Sequence, residues 1–176
     1  MNRQPSLVGE RVEARPLVED DFAEPHAAAA DPLLWEQHPN RDRWRENVLR
    51  TYFDDHLASG GALAIIERVS GALIGATRYD NFDPERSEVE IGWTFLARPY
   101  WGGAYNADLK RIMLEHAFQS VRTVVFLVGE NNLRSRRGVE KLGAIENGRR
   151  RDMVGVQADQ VTGPGVIAAL AQPRVS

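Results

Sequence analysis

The sequence contains no cysteine, and this absence removes several kinds of chemistry at once. A disulfide framework, a zinc site built on thiolates and a cysteine nucleophile are all excluded. The four histidines, at positions 26, 38, 56 and 116, lack the spacing of metal ligands, so we predict no metal site. Lysine is scarce too, because 20 of the 22 basic residues are arginine.

Long apolar runs and strong net charge are also missing. No apolar run reaches the roughly 18 residues that a transmembrane helix needs. The first ten residues have no signal core, so we expect a cytoplasmic protein without a membrane partner. A net charge of −3 argues against a nucleic-acid partner. With 176 residues, 43% of them hydrophobic, the chain is predicted to form a single domain over residues 1–176.

Positive charge is concentrated in one part of the chain. Residues 121–151 contain eight basic and three acidic side chains, so this segment is positive while the rest is negative. Such a segment is typical either of a local anion site or of a solvated arginine-rich surface, and composition does not separate the two.

Hydrophobic periodicity predicts an antiparallel meander of strands in the first half of the chain. In Glu88–Leu96, alternation would place Val89, Ile91, Trp93 and Phe95 on one face. The four strands that we predict here are Leu7–Ala14, Ala62–Glu67, Leu73–Tyr79 and Glu88–Leu96.

The second half of the chain is predicted to alternate helices and strands. Helices are expected at Ala104–Ser120 and Asn132–Leu142, and the apolar run Val124–Val128 between them indicates a strand buried on both faces. This order is typical of an α/β or α+β sheet. The remaining predicted elements are a helix from Asp20 into the alanine stretch, a helix over Arg41–Ala58, a weak strand over Ala144–Met153, a loop over Val154–Gly163 and a last strand over Val166–Leu170.

Gly102 and Gly103 stand before the long helix, where free backbone N–H groups and the helix dipole favour an anion. A tight turn that merely needs glycine is the alternative. No Gly-Lys-Ser/Thr sequence and no third spaced glycine follows, so nucleotide hydrolysis and dinucleotide redox chemistry are not indicated.

The helix over Asn132–Leu142 offers polar groups near its start. Asn132 is the expected N-cap. Ser135, Val139 and Leu142 recur at i, i+4 and i+7, so Ser135 is expected on the inward stripe. A serine there is either a satisfied core hydroxyl or a group beside a ligand that lies across the helix start.

These motifs together resemble one known family. The phrase Glu90–Trp93 followed by Pro99–Gly103, and the later Asn132-x-x-Ser135 with Glu140–Gly143, are similar to the GNAT superfamily of acetyl-CoA-dependent N-acetyltransferases, in particular its ribosomal-protein branch. The resemblance implies a mixed, mostly antiparallel sheet of about seven strands flanked by about four helices. It also implies that the fourth and fifth strands, Glu88–Leu96 and Val124–Val128, splay apart.

The resemblance implies acetyl-CoA as co-substrate, with its pyrophosphate on the loop before the long helix. Three positions depart from the family's loop pattern, since Trp101, Ala104 and Asn106 replace its usual residues. Arg98 or Arg136 is expected to supply the arginine contact that Trp101 lacks, while Arg134 and Arg137 are expected to stay solvated. The implied cofactor-binding residues are Phe95, Leu96, Trp101, Gly102, Gly103, Ala104, Tyr105, Asn106, Asn132, Ser135 and Arg136.

Acetyl transfer needs a neutral amine and a departing thiolate. The family's usual tyrosine acid is Val139 here, so Ser135 is the expected substitute, and Glu90, which shares a strand face with Glu88, is the candidate base. A base acting through water, and plain surface carboxylates, remain alternatives to Glu90. With no enzyme thiol, direct transfer to the amine is expected.

The acceptor is expected to be a primary amine, on a protein N-terminus or a small molecule. The candidate walls of its site are also candidates for core residues. Relatives are often dimers, so a homodimer is one assembly to test. The alternative function is a non-catalytic module of the same fold that binds CoA or a partner. The candidate wall residues are Trp35, His38, Tyr79 and Trp93.

Overall fold

An eight-stranded sheet organises the protein in the computed structural model, which describes residues 1–38, 40–150 and 165–171. The strands lie in the order β1-β2-β3-β4-β5-β6-β8-β7. All neighbours are antiparallel except β5 and β6. The strands are β1 Leu7–Val8, β2 Val12–Pro16, β3 Ala62–Glu67, β4 Leu73–Asp83, β5 Glu88–Leu96, β6 Thr123–Gly129, β7 Ile145–Arg150 and β8 Gly165–Ala171.

Four α-helices flank the sheet in the described part of the chain. They are α1 Ala23–Ala29, α2 Glu46–Ala58, α3 Ala104–Ala117 and α4 Leu133–Glu140. Short 3-10 helices lie at Glu19–Asp21, Pro32–Leu34 and Arg98–Tyr100.

The mixed, mostly antiparallel sheet and its helices confirm the predicted fold class. The predicted first strand is two strands, because the carboxylate of Asp108 on α3 accepts hydrogen bonds from the backbone N–H groups of Arg11 (2.7 Å) and Val12 (3.1 Å). Gly9 makes room for this carboxylate, since a Cβ there would lie 2.4 Å from the Oδ2 atom of Asp108.

Two other predicted elements differ from the structure. The α2 helix begins at Glu46 rather than Arg41, and Trp44, which lies within the predicted helix, is exposed ahead of the observed one. The run Val124–Val128 is buried on one face only, since its alternate side chains are half-buried. The predicted loop Val154–Gly163 lies outside the described residues.

The two faces of the sheet are covered by different helices. Leu109, Ile112 and Met113 of α3 pack on one face, in a core that includes Val89 and Ile91 of β5. The opposite face packs against the first two helices, with residues that include Trp35, Leu49, Tyr52, Ala76 and Phe95.

The described residues contain neither a membrane-spanning helix nor a metal-binding cluster. No helix in residues 1–38, 40–150 and 165–171 is long and apolar enough to cross a membrane. No group of three or more His, Cys, Asp or Glu side chains within those ranges is arranged to hold a metal ion.

Candidate active site

The strands β5 and β6 pair over a short stretch and then separate. Their parallel register covers Glu88–Glu90 against Thr123–Val125. Beyond it, β5 continues beside β4 to Leu96, and β6 continues beside β8 to Gly129. The space between the two diverging ends, residues 91–96 and 126–129, is called the β5–β6 cleft. Extended ligands can add to sheet edges of this kind through main-chain groups.

A β-bulge at Trp93 interrupts β5 in the region where the two strands separate. Ala76 of β4 is opposite Phe95, whereas Arg78 is opposite Gly92, so β5 has one extra residue between them. Trp93 absorbs the bulge with a left-handed φ of 51°. Bulges bend a strand and increase its twist, which here accompanies the divergence of β5 from β6.

The bulge also overturns the predicted alternation of β5. Val89 and Ile91 face α3 as expected, but Phe95 lies on the opposite face, where its ring centroid is 5.6 Å from that of Trp35. Leu96, rather than Phe95, rejoins the core on the α3 side. The prediction that Trp93 and Phe95 share a face with Val89 is therefore wrong.

The loop before α3 has the geometry of an anion site. Gly102 and Gly103 have φ of 102° and 113°, and α3 begins directly after them at Ala104. No atom of the described residues lies within 4 Å of a Cβ built on either glycine, so the loop faces open space. The first N–H groups of a helix lack partners within the helix, so this 14-residue helix presents donors there.

Trp101 closes the loop against β5, because its indole N–H donates to the carbonyl oxygen of Leu96 at 2.8 Å. The guanidinium of Arg134 stacks on this indole, 3.8 Å from the ring centroid. Arg134 also pairs with Glu36 at 3.2 Å. Arg134, expected to stay solvated, keeps 34% of its side chain exposed but lies against the loop.

The two arginines expected at the loop have other partners. Arg98 pairs with Asp31. Arg136 donates to the carbonyl oxygen of Glu130 and pairs with Glu146, both at 3.4 Å. Its contact with a cofactor stays a prediction.

The helix α4 has the predicted N-cap, but the side chain of Ser135 is not on its buried face. The Oδ1 atom of Asn132 accepts the N–H of Ser135 at 3.1 Å, which confirms the N-cap. Ser135 itself is exposed, whereas Val139 is buried, so the inward position predicted for Ser135 is wrong. Its hydroxyl is thus not part of the core. A Cβ on Gly138 would lie 3.9 Å from Nδ2 of Asn106, so α4 approaches the start of α3.

Three of the four predicted acceptor walls lie on the face of α1 and α2. Trp35 is buried, with its indole N–H on the carbonyl of Ala29, and its ring is 5.7 Å from that of His38. Trp93 is half-buried on the same side. Tyr79 does not join them, because it is fully buried on the α3 face and donates to the carbonyl of Met113 at 2.6 Å.

Glu90 lies where the paired part of β5 and β6 ends and the cleft begins. It belongs to the last residue pair before β5 and β6 separate. It is 4% exposed and accepts a hydrogen bond from the Nδ2 atom of Asn81 at 2.7 Å. Glu88, the other candidate on this face, is half-buried.

A buried cationic group beside Trp93 was missed by the sequence analysis. The Arg78 guanidinium lies 3.5 Å from the Trp93 ring centroid and 2.5 Å from the carboxylate of Asp80. Arg43 is 3% exposed and lies 4.1 Å from the ring centroid of Tyr52. Positive charge is therefore held on the face of the sheet that packs against α1 and α2.

The histidines of this region are neutral. Burial, together with the Arg43 guanidinium, lowers the pKa of His38 to about 3. Burial, with Arg78 and Arg43 nearby, lowers the pKa of His56 to about 3 as well. The Nε2 atom of His38 lies 3.2 Å from Arg43, and its Nδ1 atom lies 3.0 Å from the backbone N–H of Asn40 and 3.3 Å from the Asn40 carbonyl oxygen.

Spacing along α2 offered one signal for these residues. The buried side chains Leu49, Tyr52 and His56 recur at i, i+3 and i+7, so His56 was readable as part of the inner stripe. Arg43 precedes α2, whereas Arg78 lies in β4. No local sequence pattern predicts that both arginines lie near His56.

Comparison with known proteins agrees with this geometry. The sequence profile of the acetyltransferase (GNAT) domain matches residues 11–145. A GCN5-related N-acetyltransferase from Brucella melitensis superposes with a TM-score of 0.82 at 17% identity, over 96% of this chain and 79% of that chain. No curated protein matches the sequence.

Two solved complexes share the fold. RimJ of Mycobacterium smegmatis, in complex with CoA-disulfide, gives a TM-score of 0.71 at 17% identity, over 95% of this chain and 87% of that chain. The Microcin C7 self-immunity acetyltransferase MccE, in complex with acetyl-CoA and AMP, gives 0.76 at 10% identity, over 97% of this chain and 99% of that chain.

Proposed function

Because the chain belongs to the GNAT acetyltransferase family, we propose that it binds acetyl-CoA in the β5–β6 cleft and transfers the acetyl group directly to a primary amine. The proposal takes residues 1–176 as one acetyltransferase domain. One observation carries it. The diverging ends of β5 and β6 open beside a glycine loop at the start of a 14-residue helix.

The residues of the cleft and loop fit the chemistry of CoA. A pyrophosphate needs several hydrogen-bond donors, and the backbone of Gly102–Asn106 supplies N–H groups in open space. Arg134, held on Trp101, adds a positive charge that the loop sequence itself lacks. The pantetheine arm has amide groups, which can pair with main-chain groups of the two strand edges and with the amide of Asn132.

Acetyl-CoA supplies an activated acetyl thioester, and the chain supplies proton handling and orientation. Ser135 donates a hydrogen bond to the departing thiolate from the α4 side. Glu90 receives the proton that the acceptor amine loses, directly or through a water. The bulge at Trp93, tied to α2 by the 2.8 Å hydrogen bond from Tyr52, fixes the strand edge beside the reacting groups.

Direct transfer is the route that this composition favours. The chain has no cysteine to carry an acyl group, so a thioester on the enzyme cannot form. The acceptor class is a primary amine on a peptide N-terminus or a small molecule. The chain outside residues 121–151 carries a net negative charge, which supports a cationic acceptor through electrostatic steering.

An acceptor panel tests this proposal. Purified protein is mixed with acetyl-CoA and with N-terminal peptides, polyamines or aminoglycosides, and both CoA release and product mass are followed. We expect transfer to at least one amine, with the intersecting initial-rate lines of a sequential mechanism. Parallel lines, which indicate a covalent intermediate, would contradict direct transfer.

A non-catalytic CoA-binding module is the second candidate. It is favoured by Val139, a buried valine at the position of the family's usual acid, and by the altered loop. In the same experiment, CoA binding without transfer to any amine would support this candidate. Absence of binding by both CoA and acetyl-CoA would overturn both functions.

A further inference from the structure

Lys110 is a buried amine that the proposed function leaves unused. It lies on α3, is 6% exposed, and is one of only two lysines in the sequence. Burying a long cationic side chain is costly unless the charge is paired. Its position therefore calls for an explanation.

The amino group of Lys110 lies between the two strands that form the cleft. Its Nζ atom donates to the Oγ1 atom of Thr94 on β5 at 2.7 Å. It also lies 6.0 Å from the ring centroid of Phe126 on β6. Both residues come after the last β5–β6 pair, so the amine reaches the part of the sheet where the strands have separated.

Thr94 connects this amine to the cleft. It follows the bulged Trp93 directly and is half-buried, whereas Lys110 beneath it is buried. Its Oγ1 atom also lies 2.7 Å from that of Thr77, and either hydroxyl can be the donor. The Thr94 hydroxyl itself donates to the carbonyl oxygen of Gly92 at 3.3 Å. When Lys110 and Thr77 both donate to Thr94, this long bond is the one that can be exchanged for a further acceptor.

Neither neighbouring strand brings a balancing charge to Lys110. The β6 segment Thr123–Gly129 has no ionisable side chain, and Glu88 and Glu90 of β5 lie on the opposite face of the sheet. Burial alone lowers the pKa of Lys110 to about 7. Other ionisable groups on α3 and β4 have partners of their own: Asp108 pairs with Arg111, Tyr79 donates to Met113, and Arg78 pairs with Asp80.

Building on the proposed function, we propose that the Thr94 hydroxyl contacts the sulfur of bound CoA and that Lys110 places a positive charge behind it, so that the pair stabilises the departing thiolate. As the new C–N bond forms, the C–S bond breaks and its electron pair stays on sulfur. The proton of the acceptor amine leaves towards Glu90 or water. Thr94 is then a catalytic residue, and Lys110 acts through it as a positioning residue.

The pKa of the CoA thiol in the complex tests this pair without turnover. A cysteine thiol, as a reference, has a pKa of about 8.5. Bound CoA is titrated by the ultraviolet absorbance of its thiolate in the wild type and in the variants Thr94→Val, Lys110→Met and Lys141→Met. We expect at least tenfold more thiolate at neutral pH in the wild type and Lys141→Met than in the other two variants.

Nuclear magnetic resonance of the lysine side chains measures the pKa of Lys110 without any substitution of Thr94 or Lys110. With two lysines in the chain, isotope-labelled lysine gives two signals, and Lys141→Arg assigns them. Because linkage is reciprocal, CoA should raise the pKa of Lys110, whereas desulfo-CoA should not. This titration also decides the matter if Lys110→Met fails to fold.

Failure of this inference is distinguishable from failure of the proposed function. The pair has no role at the thiolate if calorimetry shows that CoA binds, the thiol pKa is the same in all variants, and the pKa of Lys110 is the same with CoA as with desulfo-CoA. If the wild type does not bind CoA at all, the proposed function itself is wrong.

Discussion

The phenol of Tyr52 donates a hydrogen bond of 2.8 Å to the carbonyl oxygen of Trp93 and so ties α2 to the bulged residue of β5. Burial raises the pKa of Tyr52 to about 12, so the phenol stays protonated and remains a donor over the working pH range. The α2 helix and the strand edge of the cleft are thereby held to one another. The strained backbone of Trp93 is stabilised from outside its own strand.

Removing this hydrogen bond should affect catalysis more than folding. We expect Tyr52→Phe to cost about 1–3 kcal/mol of unfolding free energy, because the Trp93 carbonyl loses its donor. We also expect kcat to fall while the affinity for CoA is kept. Urea denaturation, steady-state kinetics and calorimetry measure the three quantities.

Tyr79→Phe is the matched control for Tyr52→Phe. It removes the same hydroxyl from a buried tyrosine, but on the α3 face, where the partner is the Met113 carbonyl. A comparable stability cost with normal kcat is expected. If both variants lowered kcat equally, the effect would be general destabilisation and not the tie to Trp93.

The glycine loop should be sensitive to backbone strain. At a φ of 113°, Gly103→Ala meets no neighbouring atom within the described residues but must adopt an unfavourable conformation. The free variant can relax its loop, and CoA must then force the loop back into the strained conformation. If this costs about 1.4 kcal/mol, the affinity for CoA falls about tenfold. Isothermal titration calorimetry measures the change.

Gly71→Ala controls for the strain alone. Gly71 also has a positive φ, of 72°, and open space around its Cβ position, but it lies in the turn between β3 and β4. Its substitution should lower stability without changing CoA affinity. Equal loss of affinity in both variants would argue against an anion site at Gly103.

Ser135 should matter for the chemical step. Because its side chain is exposed and its N–H already serves the helix cap, Ser135→Ala should leave α4 intact. We expect kcat to fall roughly a hundredfold, a typical value for a lost proton donor, with CoA affinity unchanged. Ser120→Ala, in an exposed position after α3, serves as the control. An unchanged kcat in Ser135→Ala would remove Ser135 from the mechanism.

Neutral buried histidines should make the protein sensitive to mild acid. The pKa of His56 is about 3 in the folded protein, and an unfolded histidine has a pKa of about 6.5. Stability is therefore full above pH 6.5 and falls as the pH drops towards 3, because the unfolded chain binds the proton first. Linkage gives a loss of about 2 kcal/mol at pH 5 from this histidine.

Replacing His56 separates this contribution from those of carboxylates. His56→Phe keeps an aromatic ring beside Tyr52 and should make the pH dependence of the urea midpoint between pH 7 and 5 clearly shallower, leaving the contribution of His38. His116→Phe, outside the cluster, should leave it steep. If His56→Phe showed the slope of the wild type, the histidine would not be buried in its neutral form.

Much of the fold was predictable because its patterns are local. The meander, the apolar stripe of α3, the Asn132 cap and the glycine loop all follow from residues close together in the sequence. The bulge at Trp93 was not predictable, because apolar residues continue at alternate positions and hide the extra residue.

Long-range contacts account for most of the rest of the site. Arg134 contacts Trp101 although α3 and β6 lie between them in the sequence. Arg43 contacts Tyr52 and His38 through tertiary packing. Lys110 was closer to prediction. It shares the inner stripe of α3 with Met113 and Ala117 at i, i+3 and i+7, a position where a lysine is unusual.

Hydrogen exchange with and without CoA tests the central claim most directly, since the claim is that CoA lies between β5 and β6. The account predicts slower amide exchange in peptides covering residues 91–97, 101–107 and 126–135 when CoA is present, with β1 to β3 unchanged. Unaltered exchange in all three segments at saturating CoA, or protection confined to other parts of the chain, would contradict it.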